Sequence, residues 1–271
     1  MTRPAVAAMH DAGSAPYFDL VADTYAERYD EHTPAGYALR IRKQRVLELL
    51  AEAHGRVLDV GSGPGIMVPE LVERGCEVWA VDAAPEMIRL CQHRFGNLPQ
   101  LRCAVGSATA LSLPAGIFDA VVCMGVIDRI RDYEGAIAEC LRVLRPNGTL
   151  LVSFPNLLSP WAAWRGLVFY RALDRLRPFY YRLIQRRQPP ALPAFLKLHT
   201  AAGAQRLIRR HGGECRAVIY YNFNVCLSPL DALWPRGTVW LSTKLEAQRS
   251  RRALRWLGSG FIVQAVKQGT V

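Results

Sequence analysis

The 271-residue sequence lacks several features that would assign it to a membrane, metal-binding or disulfide-bonded class. It has no run of about 18 uncharged apolar residues, which a membrane-spanning helix needs. None of its seven cysteines forms a C-x-x-C pair, and no H-x-x-x-H spacing occurs. Residues 1–16 contain no apolar core of a secretory signal. We therefore predict a cytoplasmic protein with reduced thiols, no metal site and a mobile N-terminal tail over 1–16.

Acidic residues are scarce in the second half of the chain. Residues 1–150 carry 15 Lys/Arg and 19 Asp/Glu, whereas residues 151–271 carry 19 Lys/Arg and only 4 Asp/Glu. Such asymmetry indicates contact with an acidic partner, which could be a membrane surface, an anionic substrate or nucleic acid. A basic face that is merely solvated explains the same numbers and stays open.

One stretch organises the rest of the sequence. Residues 57–60 form a short apolar run that is typical of a buried central strand. Gly61, Gly63 and Gly65 follow at alternate positions, and a helical pattern begins near Met67. Glycine is needed where a strand turns sharply into a helix, because a Cβ would block positive φ and the close approach of a ligand. The pattern predicts a cofactor site at this turn, where the next helix offers free N–H groups.

The spacing of the glycines narrows the choice of cofactor. A dinucleotide fingerprint would place its third small residue at position 66, which is Ile66 here. A phosphate-binding loop would need Gly-Lys-Ser/Thr, which is absent. The next predicted strand ends in Asp82, 17 residues beyond Gly65, where a carboxylate can accept hydrogen bonds from a ribose diol. These features favour an adenosine-type cofactor and disfavour a nicotinamide-dependent oxidoreductase.

The run Val-Leu-Asp-Val-Gly-Ser-Gly-Pro-Gly at 57–65, together with Asp82, resembles the class I S-adenosylmethionine-dependent methyltransferases. Segments 106–114, 118–124 and 142–152 resemble the adenine loop, the fourth strand and the fifth-strand region of that family. The resemblance implies an α/β fold with a doubly wound, seven-stranded, mostly parallel sheet whose last strand is antiparallel. It assigns the cofactor-binding core to residues 17–158.

The same resemblance implies S-adenosyl-L-methionine as the cofactor and a set of residues around it. Position 107 is Ser107 where the family commonly has Asp. The pair Asp128-Arg129 stands where small-molecule relatives often show Glu-His, and we expect Asp128 to cap the helix that ends near Leu144. The implied cofactor-binding residues are Tyr25, Asp59, Gly61, Ser62, Gly63, Gly65, Asp82, Ala83, Met87, Ser107, Ala108 and Met124.

The methyl acceptor is predicted less directly. Strand four is not followed by the Asn/Asp-Pro-Pro-aromatic run of base amino-methyltransferases, so we expect a small, largely apolar acceptor such as a lipid, an isoprenoid or quinone, or a polyketide-like product. An RNA methyltransferase and a non-catalytic module that docks on an anionic surface remain alternatives. His199 is the candidate general base, because it precedes a helix predicted over 201–211 with Thr200 as N-cap. A structural histidine is the alternative.

Two inserts are predicted around the C-terminal strands. Residues 159–198 should form a helical lid with an apolar stripe at 169, 173, 176, 180 and 183 and eight Arg/Lys between 161 and 197. That insert could also contact an anionic membrane surface. Residues 199–271 should complete the core, with strand six over 215–225, a second, partly basic helical insert over 226–258, and the last strand over 259–267.

Overall fold

The computed structural model describes residues 14–164, 197–227 and 230–269. Seven strands form one sheet in the order β3-β2-β1-β4-β5-β7-β6. The first five strands pair in parallel, and β7 runs antiparallel between β5 and β6, which confirms the predicted fold class. The strands are β1 Arg56–Val60, β2 Glu77–Asp82, β3 Leu101–Val105, β4 Phe118–Cys123, β5 Leu144–Pro155, β6 Gly213–Tyr221 and β7 Gly260–Lys267.

Helices cover both faces of the sheet. In the described ranges, one short 3-10 helix, Glu27–Tyr29, lies between the first two α-helices, and another, Arg252–Leu257, precedes β7. The helices are α1 Ala15–Tyr25, α2 Pro34–Leu49, α3 Val68–Glu73, α4 Pro85–Phe95, α5 Tyr133–Val143, α6 Pro160–Ala163, α7 Ala201–Arg210, α8 Leu230–Leu233 and α9 Pro235–Glu246.

The central strands are apolar along their whole length because both faces of the sheet are covered. Along β1, Leu58 and Val60 pack into the core cluster that contains α5 and α7. Val57 faces the opposite cluster, which contains residues of α2 and α3. Successive side chains of a strand point to opposite faces, so an uninterrupted apolar run is what a doubly covered strand requires.

The strand order reverses beside β1, and this reversal positions the site. β1 pairs with β2 on one side and with β4 on the other. Helices α3 and α4, which follow β1 and β2, pack on one face of the sheet, and α5, which follows β4, packs on the other. A crevice therefore opens beyond the carboxyl ends of these strands, where open α/β sheets bind their ligands.

Several local predictions need correction. Asp132, rather than Asp128, is the N-cap of α5, since its side chain accepts a hydrogen bond from the Gly135 amide. The sixth strand ends at Tyr221 and not at Val225, because Asn222 takes a left-handed conformation with φ 55°. The second insert is two α-helices and a 3-10 helix rather than one helix.

One further local prediction is confirmed, and two others concern residues that the structure does not describe. Thr200 caps α7 by accepting a hydrogen bond from the Gly203 amide, as expected. Most of the predicted tail at 1–16 and the apolar stripe of the predicted lid lie outside the described residues. Within the described ranges, no helix is long and apolar enough to cross a bilayer.

A buried ion pair joins the second insert to the core. Arg45 of α2 donates from Nε to Glu246 Oε1 of α9 over 3.0 Å, and both side chains are buried. The second carboxylate oxygen of Glu246 accepts a hydrogen bond from the Asn222 amide, just after β6. One carboxylate therefore holds a helix, a strand end and the insert together.

We predict that Glu246→Ala lowers the free energy of unfolding by about 3–5 kcal/mol, because it leaves Arg45 and the Asn222 amide buried without this acceptor. Glu48 also pairs with Arg45 but lies at the surface, so Glu48→Ala should cost about 1 kcal/mol or less. Urea unfolding of the two variants measures the difference. Equal losses in both would show that the buried pair does not anchor the insert.

Candidate active site

A cleft with about 1010 Å³ of space, part of it open to solvent, lies at the carboxyl ends of β1, β2 and β4. All of the predicted cofactor residues line it except Gly65. Its wall also includes residues that the sequence did not assign to the cofactor, and these are Ser14, Ala15, Phe18, Tyr29, Arg42, Lys43, Ile66, Met67, Gly106, Gly125, Val126, Arg129 and Ile130.

The glycine turn is held against the end of β2 by backbone hydrogen bonds. The amides of Gly61 and Ser62 both donate to the Val81 carbonyl, over 2.7 and 3.1 Å. Gly61 has φ +72°, and a Cβ there would overlap the Val126 side chain. The turn can follow this path only with glycine, because a side chain would be both strained and in collision.

Gly63 and Gly65 have different roles, although both have positive φ. A Cβ on Gly63 would point into the cleft, with Tyr25 Cε1 at 3.7 Å and Met87 Sδ at 4.0 Å. A Cβ on Gly65 would lie 2.6 Å from Cys91 Sγ on α4. Gly65 therefore allows the turn to pack against α4, and its position does not support the predicted cofactor contact.

Asp82 fixes the turn from the tip of β2. Its Oδ2 accepts a hydrogen bond from the Gly63 amide over 2.8 Å, and its Oδ1 accepts one from the Ala84 amide over 2.9 Å. Burial raises the pKa of this carboxyl, while the two backbone donors act in the opposite direction. Each oxygen keeps a lone pair free for a ligand in the cleft.

Asp59, at the end of β1, is a buried carboxyl with spare acceptor capacity. Its Oδ2 has no hydrogen-bond partner in the described part of the chain. Burial, followed by the charge of Asp82, raises the pKa of Asp59 to about 7, although Arg42 opposes the shift. An unpaired buried oxygen is costly, which indicates that a ligand supplies its partner.

Arg42, on α2, also lines the cleft. Its guanidinium interacts with the hydroxyls of Tyr29 and Tyr221. Gly125, with φ +71°, makes room for it, because a Cβ there would lie 2.6 Å from Arg42 Nη1. Burial raises the pKa of Tyr29 to about 12, so this hydroxyl stays protonated and neutral beside the cation.

The remaining predicted residues form the far wall of the cleft. Met87 is buried at the start of α4, close to Ala84 and Ala22. The Ser107 hydroxyl shares a hydrogen bond of 2.9 Å with the Thr109 hydroxyl, so a contact within the same loop uses much of the hydrogen-bonding capacity of Ser107. Ala83, Ala108 and Met124 complete an apolar lining.

His199 lies away from this cleft. Its ring packs edge-on against Tyr133 and Phe154, with ring centroids 5.1 and 5.2 Å apart. Burial, assisted by Lys197, lowers its pKa. The aromatic packing favours the alternative of a structural histidine, whereas the buried His199 Nε2 has no hydrogen-bond partner in the described part of the chain, so the general-base role stays a prediction.

Comparison with known sequences is consistent with this geometry. A family model described as a methyltransferase domain matches residues 58–152. The ubiquinone biosynthesis O-methyltransferase of Xanthomonas oryzae pv. oryzae is 31% identical over 179 residues, which cover 65% of this chain and 74% of that protein. The demethylmenaquinone methyltransferase of Thermus thermophilus is 37% identical over 153 residues, covering 55% and 68%.

Solved structures extend the comparison to the fold. The magnesium protoporphyrin IX methyltransferase of Synechocystis PCC 6803, solved with S-adenosylhomocysteine, superposes with a TM-score of 0.60 at 15% identity, over 94% of this chain and 98% of that one. A possible histamine N-methyltransferase of Thermotoga maritima gives 0.59 at 17% identity, over 93% and 98%. The chain belongs to the class I methyltransferase family, and it is an enzyme that uses S-adenosylmethionine as its methyl donor.

Proposed function

We propose that the cleft holds S-adenosylmethionine with its polar groups on three charged side chains. Asp82 would accept hydrogen bonds from the ribose hydroxyls. The unpaired Asp59 oxygen suits the α-ammonium group, and Arg42 suits the carboxylate of the methionine part. Met87 and Ala108 offer apolar surfaces to the adenine ring. The open space beside Gly63 is the observation that carries this assignment, since a Cβ there would fill part of the cleft.

The bound cofactor supplies an activated methyl group on a sulfonium centre, and the protein has to orient an acceptor in line with it. An acceptor oxygen, nitrogen or carbon forms the new bond to the methyl carbon while the carbon–sulfur bond breaks. The walls formed by Tyr29, Val126 and Ile130 would exclude water from this step.

The acceptor is a small, largely apolar molecule of the quinone-precursor class. Val126, Ile130 and Met124 give the cleft an apolar lining beyond the glycine turn. The two relatives reported above are named for ubiquinone and demethylmenaquinone chemistry, which supports the same class. Polyketide-like phenols have similar size and polarity and are the nearest competing acceptors.

The described lining suggests how the acceptor loses its proton. Its carboxylates, Asp59 and Asp82, are engaged by the turn and the proposed cofactor contacts, and no histidine lines the described part of the cleft. An acceptor with an acidic hydroxyl ionises readily without a strong base. Arg129 also lines the cleft, and although its Nε pairs with Asp128 Oδ2 over 3.2 Å, its remaining guanidinium N–H groups could donate to such a hydroxyl and lower its pKa further.

The acceptor class is tested by incubating the enzyme with methyl-tritiated S-adenosylmethionine and a panel of acceptors. The panel contains hydroxylated quinol precursors with an isoprenoid tail, phenolic polyketides, small amines and total RNA. We expect label in the organic phase with the quinol precursors. Label that appears only in RNA, or only in the hydrophilic amines, would contradict the proposal.

Gly63→Val should abolish cofactor binding, because its side chain enters the cleft between Tyr25 and Met87. Gly75→Val is the matched control, since Gly75 has a similar positive φ of +78° with nothing within 4 Å. Both variants place a valine at positive φ, +55° at position 63 and +78° at position 75, so both carry backbone strain of about 1–2 kcal/mol. Titration calorimetry with S-adenosylhomocysteine should therefore detect binding by Gly75→Val only. Unchanged affinity in folded Gly63→Val would sink the cofactor assignment.

Cofactor affinity should rise with pH through the titration of Asp59. With its pKa raised to about 7, this carboxyl is protonated below that pH and cannot attract an ammonium group. Affinity for S-adenosylhomocysteine should fall by up to about tenfold for each pH unit below about 7. In Asp59→Asn this dependence should disappear, and any slope that remains belongs to Asp82. An identical pH profile in both proteins would refute the role of Asp59.

A further inference from the structure

Helices α8 and α9 present large apolar side chains to solvent. The exposed fractions are 61% for Leu230, 76% for Leu233, 60% for Trp234 and 60% for Trp240. Arg236 and Lys244 are exposed on the same segment. We call these six residues the apolar–basic surface. Large apolar side chains grouped in solvent usually mark an interaction site.

The geometry of α9 orients part of this surface. Arg236, Trp240 and Lys244 follow each other at intervals of four residues, so they share one face of the helix. The opposite face carries the buried residues Thr238, Ser242 and Glu246. The Arg45–Glu246 pair fixes that buried face to α2, so the outer face is held in place.

Trp234 is held just as firmly. Its ring lies directly over the Gly237 backbone, since a Cβ on Gly237 would overlap the indole. The indole is nevertheless 60% exposed. It therefore needs no rearrangement to present an apolar face, which keeps the entropic cost of docking low.

The exposed charged residues of the segment 226–258 are all basic. Residues 226–258 contain six Arg/Lys and two acids. Both acids, Asp231 and Glu246, are buried. In the described part of the chain, Arg236, Lys244, Arg251, Arg252 and Arg255 form no ion pair with a carboxylate, so they are available to an anionic partner.

We propose that the apolar–basic surface docks on an anionic lipid bilayer. Leucine and tryptophan side chains insert at the boundary between headgroups and acyl chains, and cations beside them meet the lipid phosphates. Nucleic acid fits less well, because Leu230 and Leu233 can neither stack on bases nor donate hydrogen bonds.

Two other occupants are disfavoured by charge. A second copy of the chain would place one basic surface against another. Residues 165–196 of this chain carry seven Arg and one Asp, so they would also meet like charge. The membrane contact that the sequence suggested for 159–198 falls mainly outside the described residues, whereas α8 and α9 offer a described surface for it. Docking there does not depend on the identity of the acceptor.

Vesicle co-sedimentation tests the proposal with the full-length enzyme. We expect binding to vesicles of phosphatidylcholine with about 30% phosphatidylglycerol at low salt, and much weaker binding to pure phosphatidylcholine. Raising the salt to about 0.5 M should weaken binding, because exposed charges are then screened within a few ångströms. Absence of binding to the anionic vesicles at low salt would overturn the proposal.

Variants separate the apolar and electrostatic contributions. Arg236→Glu/Lys244→Glu should weaken binding by about 30-fold or more. Arg209→Glu/Arg210→Glu on α7 makes the same change in net charge at another exposed site and should weaken binding much less. Leu233→Ser/Trp240→Ser should also reduce binding, whereas Leu20→Ser, at an exposed leucine of α1, should not. Equal effects of test and control variants would refute the assignment to this surface.

The competing occupants have their own readouts. A dimer in sedimentation velocity that Leu233→Ser/Trp240→Ser converts to a monomer would identify a second copy as the occupant and overturn the proposal. Tighter binding to poly(U) than to anionic vesicles, insensitive to Leu233→Ser, would identify nucleic acid and overturn it too. Calorimetric binding of S-adenosylhomocysteine should be unchanged in all these variants, so failure of docking is distinguishable from failure of the proposed active site.

Discussion

The two hydrogen bonds that Asp82 accepts hold the active-site turn together. Through Gly63 they fix the loop after β1, and through Ala84 they fix the loop that leads into α4. The glycine turn alone is permissive, because positive φ at Gly61, Gly63 and Gly65 allows many paths. The buried Asp82 carboxylate at the tip of β2 selects one of these paths. The acceptor capacity that its oxygens keep faces the cleft.

Charged groups gather in this cleft at a cost to folding. Burial first, and then the nearby charge of Asp82, disfavours the ionised form of Asp59. A carboxyl whose pKa is raised in the folded state stabilises the fold at low pH. That contribution is lost as the pH rises from the ordinary range of the carboxyl to about 7. Arg42 offsets part of this repulsion. Such an arrangement is better suited to binding a charged ligand than to stability.

The sequence predicted the parts of the structure that depend on local pattern. The central strands and the glycine turn follow from apolar runs and glycine spacing, and Thr200 was found as a cap from its position. Arg42 could not be found in this way. It lies on a helix before β1, and an isolated arginine there resembles any solvated side chain. Only the tertiary fold brings it to Gly125, and a glycine just after β4 was the single local signal. The general-base role of His199 stays a prediction, because its place just before α7 in the sequence does not say which way the ring turns.

The placement of β7 has a consequence for how the sheet is completed. Among the described strands, β6 pairs with β7 alone, and β7 inserts between β6 and β5. During synthesis, residues 213–221 therefore emerge before the strand that links them to the rest of the sheet, and 38 residues separate the end of β6 from the start of β7. The edge of β5 stays open for longer, because 104 residues separate the end of β5 from the start of β7. Contacts between segments that are distant in the sequence form slowly, and the unpaired strands stay exposed until those contacts form. Of the described strands, the one made last thus closes the interior of the sheet, and the nascent chain carries the unpaired facing edges of β5 and β6 until β7 emerges.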